Sequence, residues 1–327
     1  MAKEVNLAVI GAGYWGRKVT QEYIQLAKND SDFSLVFVCD LDEKNLGYCR
    51  DVLRIGREKL SSDFEAVLKS TDIDAVHICT PNETHNKIGL HALNQGKNVL
   101  LEKPLATSAA DAWGLCTVAE RARLCLQVGH IYRFNNAVKE AKRLIDDEFF
   151  GDLYYLNLQW TTQIPSPLGR DIIFDLGPHP VDILNYLLNR WPDKVTCKGK
   201  SYRRPSLEEV AHFDFDFDKR LMSHVELSWL EPGKVRQITI VGERRSAKVD
   251  CLRQVVEIYE DNDGPNSCVN ISPNNTIFDE VKHFVNSIRD ENNHKNPGPI
   301  GAGNVCVLES LKKSLHEEQT VKTGLSP

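Results

Sequence analysis

Val5-Asn6-Leu7-Ala8-Val9-Ile10-Gly11-Ala12-Gly13-Tyr14-Trp15-Gly16 is the stretch whose reading decides the fold. Its first six residues are short, apolar and β-branched, which suits a strand buried on both faces. Past the glycines, Trp15, Val19, Ile24 and Leu26 recur at roughly helical spacing, while Arg17, Lys18, Gln21 and Glu22 supply a wetter side. Strand, glycine-rich turn and helix thus follow in the order a dinucleotide-binding unit needs. Gly11 permits the tight turn, Gly13 lets a pyrophosphate approach the backbone, and Gly16 lets the helix pack close to the strand. The helix start then offers unpaired N–H groups and the positive end of a dipole to the phosphates.

A glycine triplet alone is weak support, but a second signal follows. Residues 33–39 read as another buried strand and end in Asp40. An acidic residue there suits hydrogen bonds to the adenosine ribose hydroxyls and repels a 2′-phosphate. Leu41, Asp42 and Glu43 come next, with no arginine, and Lys44 is the one cation that softens the preference. NAD is therefore expected in place of NADP.

With 327 residues the chain has room for two domains, each with its own core. A hydrophobic content of 41% against 26% charged residues describes a globular chain. The net charge of −6 comes without a basic stripe, which argues against nucleic acid or an anionic membrane as partner. No apolar run approaches the ~18 residues of a membrane span, and no signal-peptide pattern opens the chain. The nine cysteines are scattered without a Cys-x-x-Cys, so they read as free thiols in a reducing cytoplasm, and no metal site is expected.

Strand and helix patterns alternate to about residue 125, which implies a doubly wound parallel sheet over residues 1–127. Beyond residue 130 the pattern changes. A helix at 136–147, a strand at 153–161 and a loop with Pro165, Pro167 and Gly169 precede several strands in succession. The clearest is Phe213-Asp214-Phe215-Asp216-Phe217-Asp218, with a strict period of two. Helices at about 277–290 and 303–317 close the chain. Residues 128–327 are thus expected to form an α+β domain with a large, mostly antiparallel open sheet. Its open face suggests a homo-oligomer, a dimer or tetramer.

Three clusters sit where such folds place ligands, at the carboxyl ends of strands or at a helix start. They are Thr80-Pro81-Asn82-Glu83-Thr84-His85, Glu102-Lys103-Pro104, and Asp175-Leu176-Gly177-Pro178-His179. In the third, Pro178 suits the first turn of a helix and Asp175 is expected to cap it. A histidine near a helix N-terminus is held neutral by the dipole, and a neutral imidazole can take a hydroxyl proton. Lys103 can donate to the same oxygen and stabilise alkoxide character.

In this order and at these separations, Gly11-x-Gly13-x-Trp15-Gly16, Glu102-Lys103-Pro104 and Asp175-x-Gly177-x-His179 resemble the Gfo/Idh/MocA family of oxidoreductases. Thr80-Pro81-x-x-x-His85 and Arg133-Phe134 fit it too. The resemblance implies a Rossmann domain, an α/β partner domain with an open sheet, a tightly held nicotinamide cofactor and sugar or polyol substrates. Matched by motif, Lys103 and His179 become the catalytic pair, with Asp175 positioning the substrate or His179. Tyr14, Trp15, Thr80, Pro81 and Asn82 would line the cofactor, and Glu102 would lie near the nicotinamide ribose. His85 reads equally as a cap-region residue and as a cofactor neighbour.

The stretch from Gly169 to His179 is similar to branches acting on nucleotide-linked sugars. There Arg170 or Arg133 would meet a phosphate or carboxylate; the alternative for both is a structural ion pair. The expectation is an NAD-dependent enzyme that interconverts a secondary alcohol and a ketone on a sugar, in nucleotide-linked form. An inositol or polyol dehydrogenase, an NAD-using glycosidase and a non-catalytic nucleotide sensor are the alternatives.

Overall fold

A computed structural model describes residues 4–165, 170–218, 220–260, 267–290 and 295–325. Pro167 and Gly169 of the expected loop lie outside them. The chain forms two compact units, residues 1–131 with 275–302, and 132–274 with 303–327. A contiguous division after residue 127 does not contain the return of 275–302 to the first unit.

The first unit holds the strands β1 (Val5–Ile10), β2 (Phe33–Cys39), β3 (Leu60–Ser61), β4 (Ala75–Ile78), β5 (Asn98–Leu101) and β6 (Leu126–Val128). All neighbours are parallel, in the order β3-β2-β1-β4-β5-β6. The helices α1 (Tyr14–Asn29), α2 (Glu43–Asp51), α3 (Phe64–Lys69), α4 (His85–Asn94) and α5 (Ala109–Ala122) fill the crossovers. This is the doubly wound topology read from the alternating pattern, with its switch point between β1 and β4. Polar side chains start two of the helices: Asp63 accepts from the N–H groups of Glu65 and Ala66 at α3, and Ser108 accepts from that of Asp111 at α5.

The second unit carries α6 (Asn136–Asp146), β7 (Leu153–Thr162), α7 (Ile172–Asp175), α8 (Pro178–Leu188), β8 (Lys194–Lys200), β9 (Val210–Asp216), β10 (Met222–Ser228), β11 (Lys234–Gly242), β12 (Ser246–Asp250), β13 (Val255–Tyr259) and β14 (Ser267–Val269). The chain closes with α9 (Thr276–Arg289), α10 (Gly298–Glu317) and β15 (Val321–Lys322). Nine strands form one open sheet in the order β14-β13-β12-β11-β7-β10-β9-β8-β15. Its pairs are antiparallel except β7 with β10, because α7, α8 and two further strands intervene between them. On β9, Phe213 and Phe215 are buried while Asp214 and Asp216 are exposed, as the period of two requires.

α9 belongs to the first unit for a physical reason. Val281, Phe284, Val285 and Ile288 share one core with Val19, Tyr23 and Leu26 of α1. Arg289 adds a 2.6 Å ion pair to Asp30 at the far end of α1, which holds that carboxyl below its ordinary range. Such a long-range pairing leaves no local trace in sequence.

The glycine turn is tight in the manner expected. Gly11 has φ +97°, and a Cβ on Gly16 would lie 1.9 Å from the Gly11 carbonyl oxygen. A Cβ on Gly13 would meet nothing within 4 Å. Gly16→Ala is therefore expected to lower unfolding free energy by about 1–3 kcal/mol. Gly13→Ala should cost under about 1 kcal/mol, as a weaker helix cap only. Urea denaturation of both variants checks the difference; equal losses would contradict the packing argument.

Candidate active site

In the first unit, the nucleotide-facing elements converge on the β1–α1 turn. Asp40, following β2, accepts from the N–H of Ala12 at 2.6 Å and from that of Asp42 at 2.8 Å. Its carboxylate thus clamps the turn and keeps lone pairs over for further donors. Gly13 caps α1 without any side-chain hydrogen bond, and its open Cβ position leaves room for a group to approach the backbone. These features fit a dinucleotide pyrophosphate and ribose. Tyr14 is largely exposed and its hydroxyl accepts from Lys18 at 2.8 Å.

One basic residue at this end, read in the sequence only as part of the wetter side of α1, has specific partners. Arg17 donates to Ala12 O at 3.0 Å and to Asn45 at 2.5 Å, and stacks 4.2 Å from the centre of the Tyr48 ring. Its partners are scattered in sequence, so only the fold reveals the contact.

Thr80, Pro81 and Asn82 leave β4 as a turn that is only partly buried. Thr84 donates to the Thr80 hydroxyl at 2.7 Å. His85 is fully buried, with Nδ1 2.8 Å from Pro104 O and Nε2 2.9 Å from Thr80 O. Burial lowers its pKa, against the pull of the two carbonyls. The ring ties the Thr80 turn to the residues after β5.

Glu102 is the centre of this half. It is buried, and one carboxylate oxygen accepts from the Trp15 indole N–H and faces His77 Nε2 at 3.4 Å. The other accepts from the N–H of Lys103 at 3.3 Å. Behind it, the Tyr23 hydroxyl lies 3.2 Å from His77 Nδ1. Burial pushes the Glu102 carboxyl up, but the nearby His77 ring and the bond from Trp15 prevail and hold it below its ordinary value. His77, Cys79 and Glu102 bring their donor atoms within 4.8 Å of one another, a cluster that no local motif announces. Burial pushes the Cys79 thiol well up, which keeps it protonated. Lys103 itself is half-buried, at the carboxyl end of β5.

In the second unit, Asp175 does not cap α8. It ends α7, whose cap is Asp171, accepting from Phe174 at 3.0 Å and holding Lys312 at 3.0 Å. Gly177 precedes α8 without a side-chain bond, and a Cβ there would lie 2.2 Å from Ile173 O. α7 ends at Asp175, and Gly177 stands at the α8 cap position, so the residue placed to cap the helix has no side chain to do it. Asp175 instead sits 3.4 Å from Arg170, which is half-exposed. Pro178 and His179 open α8, and Asn304 donates to Pro178 O at 2.9 Å. Tyr132 packs edge-on against His179 and Trp160, each with ring centres 5.2 Å apart.

Arg133 is buried, donating to Asp182 and Asn185 at 2.8 Å each and lying 5.2 Å from the Tyr186 ring centre. These bonds engage the Nε–Nη2 edge of its guanidinium, the arrangement of the structural ion pair that was the alternative to a substrate contact. Arg133→Met would leave Asp182 buried and unpaired and is expected to cost about 3–5 kcal/mol in urea denaturation. A loss below about 1 kcal/mol would deny the pair its role.

Glu102 has a signed pH consequence. Its folded pKa lies below the ordinary 4.5, so the stabilisation is full above that value and fades as pH falls through the lower folded pKa. Glu102→Gln should therefore flatten the acid limb of the stability–pH curve, read by thermal unfolding between pH 3 and 7 (about the carboxylate range). An unchanged limb would contradict the assignment.

Both halves of the chain match known family models. Residues 5–130 match the oxidoreductase family with NAD-binding Rossmann fold, and 138–248 match the GFO/IDH/MocA C-terminal domain. An uncharacterized oxidoreductase of Streptococcus pneumoniae serotype 4 is 29% identical over 234 residues, 68% of this chain and 60% of that protein. The scyllo-inositol 2-dehydrogenase (NAD(+)) of Bacillus subtilis is 29% identical over 309 residues, 89% of this chain and 88% of its own length. The UDP-N-acetylglucosamine 3-dehydrogenase of Acidithiobacillus ferrooxidans is 25% identical over 293 residues, 87% of this chain and 88% of that one. Its solved structure covers 96% of this chain and 98% of its own, with a TM-score of 0.84 at 23% identity. No helix among the described residues is long and apolar enough to cross a membrane. With the glycine turn, the Glu102–Lys103 segment and the α7–α8 bend all inside the matched regions, the chain belongs to the Gfo/Idh/MocA family of oxidoreductases.

Proposed function

We propose that the chain is an NAD-dependent dehydrogenase that interconverts a secondary alcohol and a ketone on a sugar, in nucleotide-linked form. The observation that carries the reading is the bond from Trp15 to Glu102. It fastens the segment bearing Lys103 to the start of α1, beside the open backbone at Gly13. Relatives named as dehydrogenases of scyllo-inositol and of UDP-N-acetylglucosamine support a ring alcohol as the reacting group.

Bound nicotinamide supplies the hydride acceptor or donor. The chain's own residues do the rest. His179 takes the hydroxyl proton in oxidation and returns it in reduction. Lys103 donates to the same oxygen and stabilises its developing negative charge. Asp175, beside Arg170, orients the substrate. Asp40 favours NAD, because its carboxylate would oppose a 2′-phosphate.

Lys103→Met and His179→Asn are each expected to lower turnover by about 10²–10⁴-fold while NAD affinity stays within about twofold. Turnover of a sugar-nucleotide panel and NAD titration measure the two quantities separately, and unchanged turnover in either variant rejects its role. Release of free sugar without net NADH would favour the glycosidase reading. Oxidation of free inositol in place of nucleotide sugars would move the substrate to the polyols.

A further inference from the structure

The inner face of β11 carries an arginine where its neighbours are aliphatic. Arg236, Ile238 and Ile240 share one side of the strand by the two-residue alternation, and all three are buried. Arg236 is only 6% exposed. It stands opposite Trp160 of β7, with its guanidinium carbon 5.8 Å from a Trp160 ring centre.

Its bonds do not balance its charge. Nη1 donates to Thr161 O at 2.9 Å and to Val235 O at 2.6 Å, and the Tyr132 hydroxyl takes a further bond. Among the described residues, no Asp or Glu carboxylate comes within the 4.0 Å of an ion pair with it. Asp175 acts on it at longer range, and that carboxylate is already beside Arg170. Arg133 shows how the same unit neutralises a guanidinium that is only structural, with Asp182 at 2.8 Å. A buried cation without such a partner is expensive. Burial accordingly pulls the Arg236 pKa below its ordinary value.

The place of this cation matters as much as its charge. Tyr132 bonds Arg236 through its hydroxyl and packs its ring on both Trp160 and His179. Arg236 and the candidate base His179 thus contact the same phenol ring, one through its hydroxyl and the other edge-on. Nη1 spends its N–H groups on the two carbonyls, so the Nε–Nη2 edge is the side of this planar, low-dielectric guanidinium that suits a carboxylate bound through two oxygens.

We propose that Arg236 receives a carboxylate carried on the sugar ring of the substrate, making it a specificity residue for acidic sugars. This rests on the dehydrogenase reading for where the sugar lies. The remaining oxyanion source, the diphosphate of a nucleotide-linked sugar, sits further from the reacting ring carbons and is separated by the test.

Calorimetric titration of NADH-loaded protein with D-glucose, D-glucuronate, UDP-glucose and UDP-glucuronate reads binding without requiring turnover. The expected result is that each acid binds about tenfold or more tightly than its neutral counterpart. Arg236→Gln should abolish that preference while affinity for the neutral sugars and NADH stays within about twofold. Arg236→Lys, which retains the charge without the fork, should keep only part of the preference. It also serves if the glutamine variant fails to fold.

Equal affinity for acid and neutral probes in the wild type overturns the proposal, as does binding of neither acid, or a preference untouched by both substitutions. A loss in the variants that follows the UDP group in place of the carboxylate overturns it too, in favour of the phosphate. None of these outcomes bears on hydride transfer, which the Lys103 and His179 variants decide by turnover.

Discussion

A buried carboxylate organises the nucleotide-binding unit. Glu102 lies at the end of β5, where a negative charge would be untenable without donors around it. Trp15 from α1, His77 from β4 and the backbone of Lys103 converge on its two oxygens. The bonds hold together three elements that the sheet alone would only align. Satisfying that charge also sets the starting direction of the Lys103 segment. The catalytic proposal is thus a consequence of burying an acid correctly.

Behind Glu102 the polar contacts continue into the apolar core. His77 is fully buried on β4, with Tyr23 of α1 on its far nitrogen. Burial raises the Tyr23 phenol well above its ordinary value, so it stays protonated. Such a chain, flanked by the Val281–Ile288 face of α9, resists local opening in the region where a cofactor must be held. Rigidity here and exposure at Gly13 and the Thr80 turn are complementary, since a preorganised cleft loses less entropy on binding.

The second unit handles charge in two ways. Arg133 is matched by Asp182 within one helix-rich layer and behaves as core. Arg236 is set into a sheet, bonded to backbone carbonyls, and its charge is not cancelled at short range by any described carboxylate. Their sequence neighbourhoods do not distinguish them. Arg133 precedes an aromatic and reads either as a ligand or as a structural ion pair, while Arg236 sits in an ordinary alternating strand. What differs is the set of partners, and those come from residues 49 and 75 positions away.

Much of the fold was legible because its signals are local. The two-residue alternation at Phe213–Asp216 and the strand–glycine–helix order of residues 5–16 each act over a few residues, and each element forms as read. Gly16 was legible for the same reason, as its contact is with Gly11. The residue types at Lys103, Asp175 and His179 could be named from motif spacing. By contrast, Asp175 as a helix cap, the choice between the two readings of Arg133, the partners of Arg17, and the omission of His77 and Arg236 are matters of side-chain pairing across elements. By itself the sequence determined the elements, their order and the residue types at the strand ends, because backbone geometry and hydrophobic period are short-range. Only tertiary structure decided which charges are cancelled and which stay open, because Coulomb partners are chosen by packing and not by neighbourhood in the chain.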